Sequence, residues 1–464
     1  MQPGQCTLPP DQSGRILDRL AGLEQIIPPE AVSQALAATG RVNQRKCKLP
    51  HEIVCWVVLA MGILTDLPIR QVFKHARRLR VGEQTPARSS LCVARQRLGV
   101  APVRHLFEQI VHPLARPETP GAFYRGFRLV GFDGTVYDVP DSDANAAVFA
   151  RPSAGPRGDG AFPQVRKLSL VELGTHAELA FVVRSCAYGE LSMVGGLLRH
   201  LTPEMLLLED RGFLSYDHWK AVLSRGAKML ARVKSGLILE PIRNLADGSY
   251  LAKIYRTPYD RQKDRDGILV RVIRYTLNDP QRVGHGETHV LITNLLDEVL
   301  YPAEELIILY HERWEQELVF DEQKTHHDPR RATKPAQVRS ETPAGVIQEI
   351  YALSLGHFVI RALMFEAAGT VGLDPDRLSF LGCFQILKCR LPECNSSTPE
   401  AFEQWYRGLL WEMRGERTDD EVRRNRINPR VIKRKMSKWK KKRPEHRHLP
   451  PLKKTFPETV VMIR

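Results

Sequence analysis

The order of strand and helix patterns between residues 127 and 233 does most to limit the folds open to this chain. Residues 127–132 have a strand pattern, and residues 165–173 and 179–186 alternate in polarity around a glycine, as a hairpin does. Helix and strand patterns then alternate to the end of the segment. The resulting order, β-β-β-α-β-α-β, predicts an α/β domain. Residues 205–208 are wholly apolar, which indicates a sheet covered on both faces.

The flanking segments have different periodicities. Residues 12–118 have helical patterns throughout, including a helix predicted at 51–64 that is apolar on nearly every side. Residues 234–300 contain strand-like runs between Gly- and Asp-rich turns. Helical patterns return over residues 304–413. We therefore predict a helical N-terminal unit, a β-rich insertion and a helical C-terminal region around the α/β domain.

Two short helical patterns lie on either side of a polar loop between residues 69 and 99. The second carries Arg88, Arg95 and Arg97. One interpretation is a helix-turn-helix whose second helix reads a DNA groove. The other is a small helical bundle with basic, solvated faces, and three arginines do not decide between the two.

The formal charge of +15 is concentrated at the C-terminus. Residues 423–464 have a net charge of +14, whereas the preceding 422 residues have a net charge of +1. Lys433, Arg434 and Lys435 belong to the run KRKMSKWKKKR, which is typical of a nucleic-acid-binding tail. The alternative is a disordered tail that only improves solubility.

The cysteines and the apolar runs predict a reducing compartment and no membrane. None of the eight cysteines forms a CxxC pair or has zinc-finger spacing to histidine, so we expect no structural zinc. The first residues lack the basic and apolar segments of a signal peptide. The longest apolar run, residues 53–64, is too short to span a bilayer. We expect a cytosolic protein.

Three acidic residues occupy positions that a ligand could reach. Asp133 ends the first predicted strand, and Asp210 follows the apolar strand at 205–208. Ligands gather at the carboxyl ends of strands in open α/β sheets, and Glu317 would join them from a later helix. Such carboxylates could hold two divalent ions about 3.5–4 Å apart, and oxygen ligands favour Mg²⁺ or Mn²⁺. Neighbouring acids offer the same chemistry and leave four alternatives open: Asp138, Asp141, Asp143 and Asp321.

The helix predicted around Glu317 has a polar face. At about 100° per residue, roughly one third of its surface is shared by Tyr310, Arg313, Trp314, Glu317 and Lys324. A carboxylate beside cations and aromatic rings suits a metal ion with a nucleic-acid phosphate next to it. A solvated helix with ion pairs between successive turns has the same pattern, and the helix alone does not distinguish the two.

Taken in order, the motifs of this chain resemble those of the DDE transposases of the insertion sequence 4 family. They are DGT at residues 133–135, DRGF at 210–213 and Y-x2-R-x3-E-x6-K over 310–324, with a tryptophan directly after the arginine. The N-terminal domain of the family is resembled by residues 49–63, and its post-catalytic helix by 339–343 and 348–352. The resemblance extends over about residues 15–445.

The resemblance implies an RNase H-like catalytic core, a mixed sheet with helices on both faces. The β-rich insertion would lie between its last strand and the glutamate helix. The implied segments are a helical N-terminal DNA-binding domain at 1–120, the first part of the core at 121–233, the insertion at 234–300, core helices at 301–370, a helical C-terminal region at 371–422 and a basic tail at 423–464.

The activity implied by the resemblance is cut-and-paste DNA transposition, by two-metal-ion strand cleavage and 3′-OH strand transfer. Asp133 would bind both of two Mg²⁺ ions, with Mn²⁺ able to substitute, and Asp210 and Glu317 would each complete one site. The implied contacts with the DNA end are phosphate contacts from Tyr310, Arg313 and Lys324 and a stacking contact from Trp314.

The implied partner is double-stranded DNA, both the terminal inverted repeats of the transposon and the target DNA. A homodimer in the synaptic complex and a bacterial cytoplasmic location, associated with the nucleoid through DNA, are also implied. Two other functions stay open, namely an RNase H-like nuclease without strand transfer and a non-catalytic, transposase-derived DNA-binding protein. The intact set of Asp133, Asp210 and Glu317 favours an active enzyme over the second alternative.

Overall fold

In the part of the chain that the structure describes, a mixed sheet of eleven strands lies at the centre, with helices packed on both faces. It confirms the predicted α/β class. The computed structural model describes residues 18–45, 47–77, 84–152, 158–233, 236–282, 284–327, 338–394, 398–418, 431–432, 440–441 and 452–463.

The N-terminal part of the chain folds into helices, as its patterns predict. A 3-10 turn at Asp18–Leu23 is followed by five helices, α1 (Pro29–Ala38), α2 (His51–Ile63), α3 (Ile69–Ala76), α4 (Arg88–Leu98) and α5 (Ala101–Ile110). Pro29 starts α1, where its missing N–H leaves no helical hydrogen bond unmade. The predicted apolar helix, α2, is buried from Val54 to Ile63. Residues 12–17, where a first helix is predicted to begin, lie outside the described residues.

The α/β segment has the mixed topology expected of an RNase H-like core. Its elements are β1 (Phe123–Tyr124), β2 (Phe127–Asp138), α6 (Asp143–Phe149), β3 (Gln164–Glu172), β4 (Ala177–Ser185), α7 (Glu190–Met193), β5 (Met205–Glu209), α8 (Tyr216–Leu223) and β6 (Lys228–Arg232). β2, β3 and β4 are antiparallel in succession, whereas β5 lies parallel to β2 and β6 parallel to β5. The spatial order is β4-β3-β2-β5-β6. The strand after the hairpin therefore returns to the other side of β2.

The β-rich segment 234–300 continues the same sheet. Its elements are β7 (Arg243–Asn244), β8 (Tyr250–Ile254), α9 (Pro258–Gln262), β9 (Ile268–Leu277) and β10 (His289–Thr293). β10 pairs antiparallel with β6, and β9, β8 and β7 follow in that order. The predicted insertion is thus built from strands, and it extends the core sheet instead of forming a separate one.

The region after the insertion contains three helical geometries in succession. It consists of α10 (Ala303–Tyr310), a 3-10 turn (His311–Trp314), α11 (Glu315–Asp321) and a π turn (Glu322–His326). The prediction of a helical segment over 310–324 is confirmed, but the assumption of a constant 100° per residue is wrong, because the helical geometry changes along the segment. The later elements are α12 (Pro343–Gly369), α13 (Phe380–Arg390), α14 (Pro399–Met413), β11 (Val431–Ile432), β12 (Lys440–Lys441) and β13 (Val460–Met462), which pairs with β9.

α12 joins the N-terminal and C-terminal helices in one hydrophobic core. It packs against α2, α5, α13 and α14. It is long and apolar enough to cross a membrane, but 89% of its most apolar stretch is buried inside the protein, as in a core helix. The segments predicted as separate domains at 1–120 and 301–370 thus share a core.

Candidate active site

The parallel register of β2 and β5 brings Asp133 and Asp210 together. Gly131 on β2 pairs with Leu208 on β5, and each aspartate lies two residues further along. Asp133 lies within β2 and not at its end, because this strand is longer than predicted. Asp210 follows β5 and caps a 3-10 turn, accepting a 2.7 Å hydrogen bond from the Arg211 backbone N–H. Neighbouring strands therefore present two carboxylates at one place on the sheet.

Glu317 reaches the same region from α11, which packs across β2. Gly131 permits this close approach, since a Cβ there would lie under 3.0 Å from the Gln316 side-chain oxygen. A larger residue at 131 would have to displace the buried Gln316 side chain of α11. The Glu317 side chain is 38% exposed, so a ligand can reach it from solvent.

The Arg313 guanidinium lies among the three carboxylates. Its side chain is only 7% exposed, and its Nη2 lies 3.9 Å from Glu317 Oε1. Burial lowers the pKa of Arg313, but its surroundings raise that pKa above the usual value. The groups that raise the pKa are Tyr310, Asp210, Asp133 and Glu317. The Nε of Arg313 has no hydrogen-bond acceptor among the described residues.

Burial raises the pKa of Asp133 to about 7, and the Glu190 and Glu317 carboxylates add to the rise. The Gly134 backbone N–H, which donates to Asp133 Oδ1 at 2.8 Å, and the Arg313 charge oppose it. A carboxyl in such surroundings is stabilised in its charged form by a nearby cation. The local charge therefore suits binding of a divalent cation, with release of a proton.

Glu190 is a carboxylate of this site that sequence reasoning missed. It begins α7, and a Cβ at Gly134 would lie under 3.0 Å from Glu190 Oε1. Arg166 on β3 donates a 2.8 Å hydrogen bond to the same oxygen. The glycine of the DGT motif signals a close approach, but it does not identify the partner.

Tyr310 braces the end of β5. Its hydroxyl donates a 3.0 Å hydrogen bond to the Glu209 carbonyl, next to Asp210. The side chain is buried, and burial raises the pKa of its phenol. In this structure the hydroxyl holds the strand, and the phosphate contact expected of Tyr310 stays a prediction.

Lys324 lies beside β2. Its Nζ donates to Thr135 Oγ1 at 3.0 Å and to the Val136 carbonyl at 2.8 Å. Trp314 is half-buried, and its ring centroid lies 4.7 Å from the Arg313 guanidinium carbon. Arg313 thus lies among the carboxylates, with Trp314 next to it and Lys324 further along β2. The DNA-end contacts of these three residues stay predictions.

Other acids near the first strand have their own places in the fold. Asp138 accepts a 2.8 Å hydrogen bond from Gln164, and Asp141 is paired with Arg151. Asp143 lies in the first turn of α6, where a negative charge favours the helix. These partners account for the three acids without a metal ion.

Asp321 shares the helix of Glu317 but has a different partner. Its carboxylate lies 3.4 Å from His326 Nε2, and its side chain is 54% exposed. The hydrogen bond with His326 lowers the pKa of Asp321. Because Glu317 faces Arg313 instead, the structure favours Glu317 as the acid that this helix contributes.

The carboxylates of Asp133, Asp210 and Glu317 supply oxygen donors of the kind that divalent cations bind. Among the residues that the structure describes, they do not form a group with all ligand atoms within 4.8 Å. Oxygen donors of this kind favour Mg²⁺ or Mn²⁺.

A second, buried cluster does have all its candidate ligand atoms within 4.8 Å, and it consists of His176, Glu315 and Asp376. Arg361 lies 3.6 Å from Asp376, and His176 lies 3.1 Å from both Glu315 and Glu322. Burial and the Arg361 charge lower the pKa of His176, but the carboxylates around it raise that pKa to about 9. Positive side chains already balance the acids, so we read this cluster as an ion-pair network.

Arg95 contradicts part of the predicted DNA-reading helix. Its side chain is buried and donates to Gln348 Oε1 at 3.2 Å and to the Gly345 carbonyl at 3.0 Å. It therefore joins α4 to the core helix α12 and cannot reach DNA. Arg88 and Arg97 are exposed on α4 and stay predictions as DNA contacts. The predicted contacts in the basic tail lie outside the described residues: Lys433, Arg434 and Lys435.

Known proteins share both halves of this architecture. The family described as "Insertion element 4 transposase N-terminal" matches residues 17–108, and the "Transposase DDE domain" matches residues 126–342. The chain is 28% identical over 435 residues to transposase InsG for insertion sequence element IS4 of Escherichia coli K12, covering 90% of this chain and 93% of that protein. It is 26% identical over 191 residues to the putative transposase InsZ of the same organism, covering 41% of this chain and 63% of that protein.

A solved structure also aligns with this chain, the cryo-EM structure of a piggyBac transposase synaptic complex with hairpin DNA. The identity is 12% and the TM-score 0.38, with 90% of this chain and 88% of that chain covered. The DDE-domain match contains all three motifs, from Asp133 to Lys324. From the two family matches and the relative that covers nearly the whole chain, this protein belongs to the insertion element 4 family of DDE transposases.

Proposed function

We propose that this chain catalyses cut-and-paste transposition of an insertion sequence. It would cleave DNA strands at the ends of the element and join the 3′-OH ends to target DNA. One observation carries the proposal: β2, β5 and α11 present Asp133, Asp210 and Glu317 around one buried arginine, Arg313. Membership of a DDE transposase family, which uses divalent metals, supports the same reading.

Asp133, Asp210 and Glu317 would hold two Mg²⁺ ions, or Mn²⁺ in their place. Bound there, the ions would activate water or a DNA 3′-OH and stabilise the leaving oxygen. Asp133 would help to hold them together with Asp210 and Glu317, because β2 pairs with β5 and packs against α11. The protein contributes rigid positions, because Asp133 lies within β2 and Asp210 directly follows β5, where it caps a 3-10 turn.

We expect the cations of the site to bind phosphates of the transposon end. The Nε of Arg313 has no acceptor in the described part of the chain, and arginine can bind phosphate through two parallel bonds. Lys324 would add a point charge beside β2. The partly exposed ring of Trp314 would stack on a displaced base.

The substrates would be double-stranded DNA carrying the terminal inverted repeats, and target DNA. The net charge of +14 in residues 423–464 supports contact with the phosphate backbone. Holding two ends in one synaptic complex would require a homodimer. The relatives come from a bacterium, so we expect a bacterial cytoplasmic protein associated with the nucleoid through DNA.

Glu317→Gln tests the assignment of the third acid. The substitution keeps the size of the side chain but removes its charge. Strand cleavage with Mg²⁺ should fall by about 10²- to 10³-fold, the loss seen when a key electrostatic group is removed. Binding of an end duplex should stay near wild type. Asp321→Asn is the control and should cleave normally, and the opposite pattern in the two variants would contradict the assignment.

Strand transfer requires a separate test. A pre-cleaved duplex carrying the terminal repeat is incubated with a target plasmid, the wild-type protein and Mg²⁺. Joined product is expected, and Glu317→Gln should yield none. Cleavage without any joining would favour a nuclease, and end binding without cleavage would favour a non-catalytic DNA-binding protein.

A further inference from the structure

The helix that carries Glu317 and Lys324 changes geometry between these residues. Glu322–His326 forms a π turn, in which the His327 backbone N–H donates to the Glu322 carbonyl at 2.7 Å. This i→i+5 bond closes a turn that holds one residue more than an α-helical turn. Such turns are rare and occur frequently at functional sites. The added residue therefore requires a cause in the surroundings.

The Glu322 side chain holds the start of this turn. It is buried, and its carboxylate accepts hydrogen bonds from His357 Nε2 at 2.8 Å and from Arg361 Nε at 2.9 Å, both on α12. His176, in the turn between β3 and β4, lies 3.1 Å from the other carboxylate oxygen. Two separate elements therefore grip one carboxylate.

His327 holds the end of the same turn. Its ring is buried and packs edge-on against Phe384, with the centroids 4.9 Å apart. Its carbonyl accepts a 2.6 Å hydrogen bond from Thr65 Oγ1, just after α2. Glu322 and His327 are thus both fixed by contacts with other elements. The extra residue of the π turn must therefore be accommodated between them, in the segment that contains Lys324.

We propose that Glu322 is a positioning residue for Lys324, holding the π turn that directs the lysine to β2. Lys324 Nζ reaches Thr135 Oγ1 and the Val136 carbonyl, two and three residues beyond Asp133. The proposal rests on the proposed function, in which Lys324 binds the DNA end. Glu322 touches no reacting group and acts only through the geometry of the turn.

A double-mutant cycle in the full-length protein tests this coupling. Glu322→Gln, Lys324→Met and the double variant are compared for binding of a terminal-repeat duplex, with thermal unfolding measured in parallel. Glu322→Gln should weaken binding about tenfold in the wild-type background and less than about twofold in Lys324→Met, as coupled neighbours depart from additivity by such factors. A purely structural role would give the same loss in both backgrounds.

Glu349→Gln is the matched control. Like Glu322, Glu349 is a buried carboxylate, but it lies on α12. It accepts hydrogen bonds from Arg339 and Ser340, which precede that helix. Its effect should add to that of Lys324→Met. If Glu322→Gln is equally additive, the proposal is overturned. If Lys324→Met alone leaves end binding unchanged, the DNA contact in the proposed function fails instead.

Deletion of Thr325 gives a second test that keeps the Glu322 carboxylate. It removes the added residue and allows an α-helical i→i+4 turn. End binding should fall by about tenfold and show the same lack of additivity with Lys324→Met. This variant decides the question if Glu322→Gln does not fold, and wild-type binding by it would overturn the proposal.

Discussion

At the scale of single residues, two glycines allow the elements of the site to pack closely. Gly131 lets α11 lie close to β2, and Gly134 leaves room for Glu190. At each position a Cβ would lie under 3.0 Å from a side-chain oxygen, so that a neighbour would have to move. The glycine of the DGT motif therefore leaves room for a neighbouring side chain next to Asp133, the proposed catalytic aspartate.

Gly134→Ala should impair the site. The new Cβ must displace Glu190 or shift β2, and overpacking of this kind destabilises by about 1–3 kcal/mol. Because Asp133 is the preceding residue, misplacement should lower cleavage by about tenfold to a hundredfold. Urea unfolding and cleavage rates with Mg²⁺ measure the two effects. Gly212→Ala, beside Asp210, is the control, because a Cβ there meets open space; equal losses in both variants would contradict this explanation.

At the scale of elements, α2 and α12 touch through their backbones. A Cβ at Gly62 would lie under 3.0 Å from the Ala352 carbonyl, and one at Gly356 under 3.0 Å from the Gly62 carbonyl. The residue after Gly356 is His357, which binds Glu322 in the π turn. Packing of the helical core therefore bears directly on the helix that supplies Glu317.

Gly62→Ala should destabilise the whole protein, since α2 and α12 must separate to admit the methyl group. The loss should be about 1–3 kcal/mol, as expected for overpacking. Gly408→Ala on α14 is the matched control, because a Cβ there meets nothing within 4 Å, and it should stabilise by about 0.5–1 kcal/mol. Urea midpoints at constant m-value measure both. A Gly62→Ala protein of wild-type stability would show that the helices part without strain.

At the scale of the whole molecule, the basic C-terminal segment is also part of the sheet. Residues 423–464 carry a net charge of +14, and Val460–Met462 pairs with β9. Deletion of the segment would remove a strand together with the charge. Its electrostatic role is therefore tested by substitution.

Replacing Lys433, Arg434 and Lys435 by Gln should weaken DNA binding and flatten its dependence on salt. If each residue contacts one phosphate, the slope of log affinity against log salt should fall by about 2–3 units, because fewer counterions are released. Fluorescence anisotropy of a labelled duplex across a salt series measures the slope. An unchanged slope would mean that this run serves solubility only.

The folded protein should lose stability below about pH 6.5 through His327. Burial, with the neighbouring His357 charge, lowers the pKa of His327 to about 3. The unfolded residue takes up a proton near pH 6.5, so the folded state loses about 1.4 kcal/mol per pH unit below that value. Above it, His327 makes no pH-dependent contribution. His327→Leu should reduce this slope in urea unfolding between about pH 5 and pH 8; equal slopes would contradict the assignment.

The sequence by itself determined the α/β class and the order of the segments, and its motif order singled out the three acids that we propose as metal ligands. These features depend on periodicity and on motif order, which are properties of the local chain. The wholly apolar run at 205–208 already indicated the covered strand that precedes Asp210, and it is β5. The spacing from Tyr310 to Lys324 already marked the helix that contributes Glu317.

Only the tertiary structure decided what each side chain faces. Arg95 is buried against Gln348, a partner that lies 253 residues further along the chain. Tyr310 donates a hydrogen bond to Glu209, which lies 101 residues before it. Glu317 and Asp321 share one helix, yet only the partners around them separate the two. A helical wheel could not predict the π turn either, because the residues that bind the Glu322 carboxylate lie far from it in sequence. Burial and partner choice depend on contacts between segments far apart in sequence, and local patterns carry no record of those contacts.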